Sequence, residues 1–318
     1  VTIQKKEAAM ANPVLTFVVR RLQDNYKKNF GEQEVNDEIP ADLEEFRDLP
    51  YNGRGGAHLM MDVYRPKESA GKKLPVIVMV HGGGLIVGSR KMCRDFVRIL
   101  ARKGYLVCVP DYRLIPEVDA FAQLSDVCAG YYYIEKHLAD WGGDPEKVFL
   151  VSESAGSWLS VFSLAMKESE ALQKAVGRTV PELPFRAMGC FSGMFYTRKL
   201  DLIGLTYPGH MYGAKKNMEP FRDMNPESKE VIGCLPPVFL ETSDIDIVES
   251  YTLSFHKALK AAGKPCRLLH FTGNKELTHA FPALKPHLTE SMETVDEMLE
   301  FFESCMNEET VGAAEETQ

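Results

Sequence analysis

The sequence predicts an α/β fold, with a mostly parallel central sheet, helices on both faces and a helical cap. Three observations carry this expectation. Short apolar runs alternate with amphipathic stretches from about residue 58 to residue 304, the pattern of buried strands joined by crossover helices. Two of the amphipathic stretches, Met92 to Lys103 and Val248 to Ala262, stop at Gly104 and Gly263, and glycine past a helix end is the usual stop signal. The chain has 318 residues, 45% hydrophobic and 26% charged, which suits one enzyme-sized globular domain with an insertion.

Taken in order, residues 1–44 read as a helical cap segment. A first core part spans residues 45–196 and opens with an antiparallel edge near Glu45 to Leu49 and Leu59 to Tyr64. The central strands are predicted at Val76 to Val80, Leu106 to Val109, Val148 to Val151, Ala187 to Phe191, Val238 to Glu241 and Arg267 to Phe271. Each is short, apolar and bounded by Gly, Pro or polar residues, as strands buried on both faces are. Residues 197–232, rich in Tyr, Met, Gly and Pro, break the alternation and read as a cap insertion. The core resumes over 233–306, and the acidic, small-residue tail 307–318 reads as disordered.

Composition excludes several classes of function. A net charge of −8 without a basic stripe argues against nucleic acid, because phosphate binding needs clustered Lys and Arg. Seven scattered cysteines without a Cys-x-x-Cys pair point to neither zinc nor redox chemistry, so no metal and no cofactor is expected. Cys108, Cys190 and Cys266 sit in apolar runs as small hydrophobes. Lys5, Lys6, Glu7, Arg20, Arg21 and Asp24 interrupt the N-terminal stretch, and no segment has the apolar length for stable membrane insertion. A cytoplasmic location is the default expectation.

The chemistry is carried by two glycine- and serine-rich motifs. The apolar run beginning at Phe149 passes straight into Ser152-Glu153-Ser154-Ala155-Gly156 and then into a helix-like segment at Trp158-Leu159. A serine there sits on a tight strand-to-helix turn that needs small neighbours, and the following helix directs its free N–H groups at the site. The competing reading is a plain N-cap. The second motif, His81-Gly82-Gly83-Gly84, follows the strand Pro75 to Val80, where backbone N–H groups of Gly82 and Gly83 can approach a substrate carbonyl oxygen. A phosphate loop fails, since no Gly-Lys-Ser/Thr follows. His81 itself reads as a structural hydrogen-bonding residue.

A serine hydroxyl needs a positioned base. Of the five histidines after Ser154, His256, His270 and His287 have structural explanations and His210 falls in the cap. His279 lies on the loop after the last strand, at the carboxyl ends where such folds place ligands. For the acid, Asp244 and Asp246 compete; Asp246 is favoured because it lies deeper in its loop, between small apolar residues.

Together these residues resemble the hormone-sensitive-lipase-like branch of the α/β-hydrolase fold, the carboxylesterases and lipases with a His-Gly-Gly-Gly motif. Asp111-Tyr112-Arg113-Leu114-Ile115-Pro116-Glu117 and Trp141-Gly142-Gly143-Asp144-Pro145 extend the resemblance, which covers roughly residues 58 to 304. The resemblance implies a triad of Ser154, Asp246 and His279, and an oxyanion hole of Gly82, Gly83 and Ala155. It also implies a pocket lined by cap residues, here Tyr207, Met211 and Tyr212, with Leu85 where the family carries an aromatic residue. Ser152, Glu153 and Ser157 depart from the family's Gly-Asp-Ser-Ala-Gly-Gly. The expected activity is hydrolysis of an uncharged, short- to medium-chain ester. An amidase, peptidase or deacetylase using the same triad is the alternative, and a catalytically silent ligand-binding fold a distant third. The expected partner is the small-molecule ester, with homodimerisation the one protein association left open.

Overall fold

The computed structural model describes Phe17, Arg20, Arg21, Gln23, Asp24 and residues 37–51, 59–69, 71–212 and 224–315. Eight strands form one sheet: β1 (Leu43–Pro50), β2 (Met60–Pro66), β3 (Leu74–Val80), β4 (Leu106–Pro110), β5 (Gly143–Glu153), β6 (Phe185–Phe191), β7 (Val238–Ser243) and β8 (Cys266–Phe271). Their spatial order is β1-β2-β4-β3-β5-β6-β7-β8. β2 runs antiparallel to both β1 and β4, while β3 through β8 run parallel to one another. The β3–β4 connection leads one way along the sheet and the β5–β6 connection the other. The crevice at the carboxyl ends of β3 and β5 is therefore the topological switch point, where open α/β sheets bind ligands.

The helices, in chain order, are α1 (Arg94–Arg102), α2 (Ala120–His137), α3 (Ala155–Ala165), α4 (Glu170–Val176), α5 (Leu202–Tyr212), α6 (Lys229–Cys234), α7 (Glu249–Ala261), α8 (Phe281–Leu284) and α9 (Thr289–Glu315). α1 forms because Phe96, Val97, Leu100 and Ala101 share one buried face, and it ends where Gly104 takes φ +96°, which costs glycine nothing. α2 is capped by Asp119, whose carboxylate accepts the Ala122 N–H at 2.9 Å. The strands carry apolar side chains on both faces and so build two cores. One gathers Phe121, Trp158, Phe162 and Phe255; the other gathers Phe96, Phe149, Phe191 and Phe302, with the rings of Phe149 and Phe302 stacked at 4.6 Å.

Three boundaries and the burial of one cysteine differ from expectation. β1 begins at Leu43, which is buried, so the segment expected to close at residue 44 gives its last residues to the sheet. There Glu44 pairs with Arg65 of β2. α9 continues past Asn307, where a disordered tail was expected; the Glu and Ala residues there are good helix formers, and charge alone did not report this. In the expected cap insertion, Val231 and Ile232 of α6 are buried in the first core, so this part belongs to the body. Cys108 and Cys190 are buried, but Cys266 is only partly so. Phe17, Arg20, Arg21, Gln23 and Asp24 are helical; the rest of the expected N-terminal helix lies outside the described residues. No helix among those described is long and apolar enough to cross a membrane.

Candidate active site

The chain brings Ser154, His279 and Asp246 together at the carboxyl end of the sheet. Ser154 lies between β5 and α3 with φ 51°, a left-handed conformation that L side chains rarely adopt. Neighbouring backbone holds it there. Its N–H donates to Phe191 O at 2.9 Å, and its carbonyl accepts from Met194 N–H at 3.0 Å and Ser157 N–H at 3.1 Å. His279 Nε2 stands 2.8 Å from Ser154 Oγ, and His279 Nδ1 stands 2.6 Å from Asp246 Oδ1. A carboxylate can only accept, so Nδ1 carries the proton and Nε2 is left to accept from the serine hydroxyl.

Asp246 is held from all sides. Thr242 Oγ1 donates to its Oδ2 at 2.9 Å, and Val248 N–H donates to Oδ1 at 3.1 Å. Burial pushes its carboxyl up, but the hydrogen bond and charge of His279, with the Val248 and Thr242 donors, more than offset this and hold it below the usual range. Asp244, its competitor in the sequence, is exposed and accepts Gly273 N–H at 2.8 Å. It ties the end of β8 and does not reach His279. The His279 loop is fastened by Ser243 Oγ donating to Leu277 O at 2.5 Å and by Ala280 N–H donating to Ser192 Oγ at 2.8 Å. Neither serine was singled out in the sequence, since nothing local marks them.

The oxyanion side departs from expectation. Gly82 N–H, expected to face the substrate, donates to Glu153 Oε1 at 2.6 Å. Among the described residues, the amides of Gly83 and Ala155 donate to no other group. The glycines are required for a different reason from the one inferred. A Cβ on Gly82 would strike the Glu153 carboxylate, and one on Gly83, at φ +96°, would strike the Val87 carbonyl. Across the crevice, a Cβ on Gly156 would meet the carbonyls of Val80 and His81, so α3 and the end of β3 are in direct backbone contact. Two further departures pair with each other: Ser152 Oγ donates to Ser157 Oγ at 3.2 Å, both fully buried.

His81 is structural, as expected. Its Nδ1 is 2.9 Å from Gly82 O, its ring stacks on Tyr112 at 4.2 Å, and burial pushes its pKa down. Tyr112 OH donates to His81 O at 2.8 Å and Gly82 O at 3.0 Å. The loop closes on Arg90, whose N–H donates to Asp111 Oδ1 at 2.6 Å. The Arg90 guanidinium binds Asp62 at 2.7 Å and also pairs with Asp111 and Asp48.

The expected pocket residues are placed otherwise. Leu85, Met211 and Tyr212 are fully buried members of the first core. Tyr212 packs 5.5 Å from the Phe121 ring and 6.3 Å from Trp158, so these residues present no surface to a pocket. Their apolar character is spent on joining α5 to the body. The side chains of Tyr207 and His210 lie outside the described residues. Exposed apolar side chains nearest the triad in the chain are Ile245 and Ile247, which flank Asp246; Leu200 and Leu205 are exposed just before and within α5. Among the described residues no group of three His, Cys, Asp or Glu side chains could hold a metal ion.

Comparison with known proteins gives the same frame. A family model described as alpha/beta hydrolase fold matches residues 77–283. The chain is 25% identical over 227 residues to a probable isoprenylcysteine alpha-carbonyl methylesterase of Arabidopsis thaliana, covering 67% of this chain and 47% of that protein. It is 29% identical over 231 residues to carboxylic ester hydrolase LipN of Mycobacterium tuberculosis, covering 69% and 59%. It thus spans about half the length of the curated relatives it matches. Among solved structures, esterase B from Lactobacillus rhamnosis, inhibited by a C4-C4 tributyrin phosphonate, superposes with a TM-score of 0.85 at 22% identity, over 97% of this chain and all of that one. Brefeldin A esterase, a bacterial homologue of human hormone-sensitive lipase, gives 0.71 at 17% identity, over 94% and 87%. These two likenesses establish the fold.

Proposed function

The chain belongs to the alpha/beta hydrolase family, and on that premise we propose that it is a serine carboxylesterase acting on uncharged, short- to medium-chain esters. The carrying observation is the continuous hydrogen-bond chain from Ser154 Oγ through His279 to Asp246, at 2.8 and 2.6 Å. In the proposed reaction, His279 Nε2 takes the Ser154 proton as Oγ attacks the ester carbonyl. The negative charge developing on the carbonyl oxygen is received by the amides of Gly83 and Ala155, aided by the N-terminal end of α3. His279 then gives its proton to the departing alcohol oxygen, leaving an acyl-enzyme on Ser154. Water repeats the sequence and releases the acid. Asp246 keeps the imidazole in the tautomer that both halves need.

The names of the matched relatives, methylesterases and a carboxylic ester hydrolase, support an ester bond, and the C4 phosphonate carried by esterase B supports a short acyl group. A series of p-nitrophenyl esters from acetate to laurate, run beside matched anilides and on Ser154→Ala, tests this. The expected result is a maximum at short to medium chains and a fall on the order of 10⁶ in kcat for Ser154→Ala. Anilide turnover equal to ester turnover would make the enzyme an amidase. Failure of a fluorophosphonate to label Ser154 would point to a silent ligand-binding fold.

A further inference from the structure

Glu153 is the one acidic residue in the turn that bears the nucleophile, and the reaction above makes no use of it. It is 1% exposed. Burial pushes its carboxyl up in pKa, opposed by the Gly82 N–H and by the charge of His279. A buried carboxyl is retained in a dry site only when something there holds it, or when it holds something. Its bond to Gly82 N–H at 2.6 Å spans two loops that leave adjacent strands at matched register: Val80 pairs with Ser152 across β3 and β5, so the next residues of each chain diverge side by side. The Gly82 contact leaves no room for a Cβ. Cys93 Sγ, at 4.0 Å, approaches the same oxygen.

Resting on the serine-esterase reading, we propose that Glu153 is a positioning residue that latches the oxyanion loop. By accepting Gly82 N–H it removes that amide from the hole and turns the next one, Gly83 N–H, toward the reacting carbonyl. The hole then has two donors, Gly83 and Ala155, both without another acceptor among the described residues. The latch works by accepting a hydrogen bond, so a neutral amide oxygen of the same reach serves as well as a carboxylate. Glu153 contacts neither Ser154 Oγ nor His279 at hydrogen-bond distance, and it acts only through the loop.

The test compares Glu153→Met, which keeps the length of the side chain and removes the acceptor, with Glu153→Gln, which keeps both. Both are assayed on the ester giving the highest turnover, with the thermal midpoint followed in parallel. A third measurement is inhibition by a trifluoromethyl ketone, which forms a tetrahedral oxyanion on the serine. The expected outcome for Glu153→Met is a fall of roughly 10- to 10²-fold in kcat, KM within about twofold, and a matching loss of trifluoromethyl ketone affinity. Glu153→Gln should hold kcat within a few-fold of wild type. Equal losses in Met and Gln would overturn the latch in favour of a role for the charge itself, and a loss confined to KM would overturn it as well. If Glu153→Met does not fold, the Gln variant still decides, because a loss greater than tenfold in kcat in a folded Gln enzyme rejects the latch. Failure of the esterase reading shows separately, as wild-type enzyme that a fluorophosphonate does not label.

Discussion

The two flanks of Ser154 are built on different principles. On the β3 side the functional groups are backbone amides, and the loop that bears them is anchored by two buried arginines: Arg90 to the buried Asp62 and Asp111 and the exposed Asp48, and beside it Arg94 to Asp62 and the exposed Asp37. On the β7–β8 side the functional groups are side chains, and hydroxyls and single amides hold them: Thr242, Val248, Ser243 and Ser192. A backbone donor cannot be aimed without immobilising its whole segment. A side-chain base needs only its own ring held, and His279 keeps a quarter of its side chain exposed, open to the proton exchange its role requires.

The sharpest way to break this contrast is at the side-chain flank. Asp246→Asn should lower kcat on the order of 10⁴-fold by admitting the wrong imidazole tautomer, whereas Asp244→Asn should stay within a few-fold of wild type. Steady-state assays of the two variants check this, and the reverse ranking would exchange their roles. At the backbone flank, Arg90→Met should act on stability first. It takes the guanidinium from the buried Asp62 and Asp111, leaving Asp62 with Arg94 and Tyr64 and Asp111 with the backbone N–H of residue 90, and should cost about 3–5 kcal/mol in denaturant unfolding. A loss under 1 kcal/mol would mean that the loop does not depend on the cluster.

The smallest effect concerns Glu241, a fully buried carboxyl on β7 with neither oxygen at hydrogen-bond distance from a partner. Burial and then the charge of Asp246 raise its pKa well above the ordinary 4.5, and the nearby Ser192 N–H is occupied by the Glu241 backbone carbonyl at 2.9 Å. Folding thus favours the protonated form. As pH rises above 4.5 the unfolded chain releases this proton while the folded one retains it, so this group subtracts stability with rising pH until the folded carboxyl itself ionises. Glu241→Gln should therefore match wild type near pH 4 and be the more stable of the two near pH 8. Thermal or chemical melts at the two pH values decide it; a gain of equal size at both would assign the effect to packing.

Much of this architecture is legible in the sequence because it is local. The apolar runs Val76 to Val80 and Val148 to Val151 announce β3 and β5, and Ser154 and His279 each fall just beyond a strand end. What is not legible depends on partners distant in the chain. Arg90, Arg94 and Arg98, four residues apart, have the spacing of a solvated helix face, yet all three are buried, because Asp62 on β2, Glu45 on β1 and Asp111 just past β4 meet them. Leu85, Met211 and Tyr212 have the character of a pocket wall and are core instead. Glu153 reads as a variant position in a motif, and only the neighbouring strand shows what its carboxylate holds.

The hydrogen bond between Ser154 and His279 joins residues 125 positions apart, and β7 and β8 are the outermost strands on that side of the sheet. Contacts of such sequence separation carry a loop-closure entropy that pairing nearer in the chain has to offset. A chain with β3, β4 and β5 assembled, and even with its oxyanion loop latched, still lacks its general base. During refolding, regained turnover would count only finished molecules, whereas helix content would also count the partly folded ones.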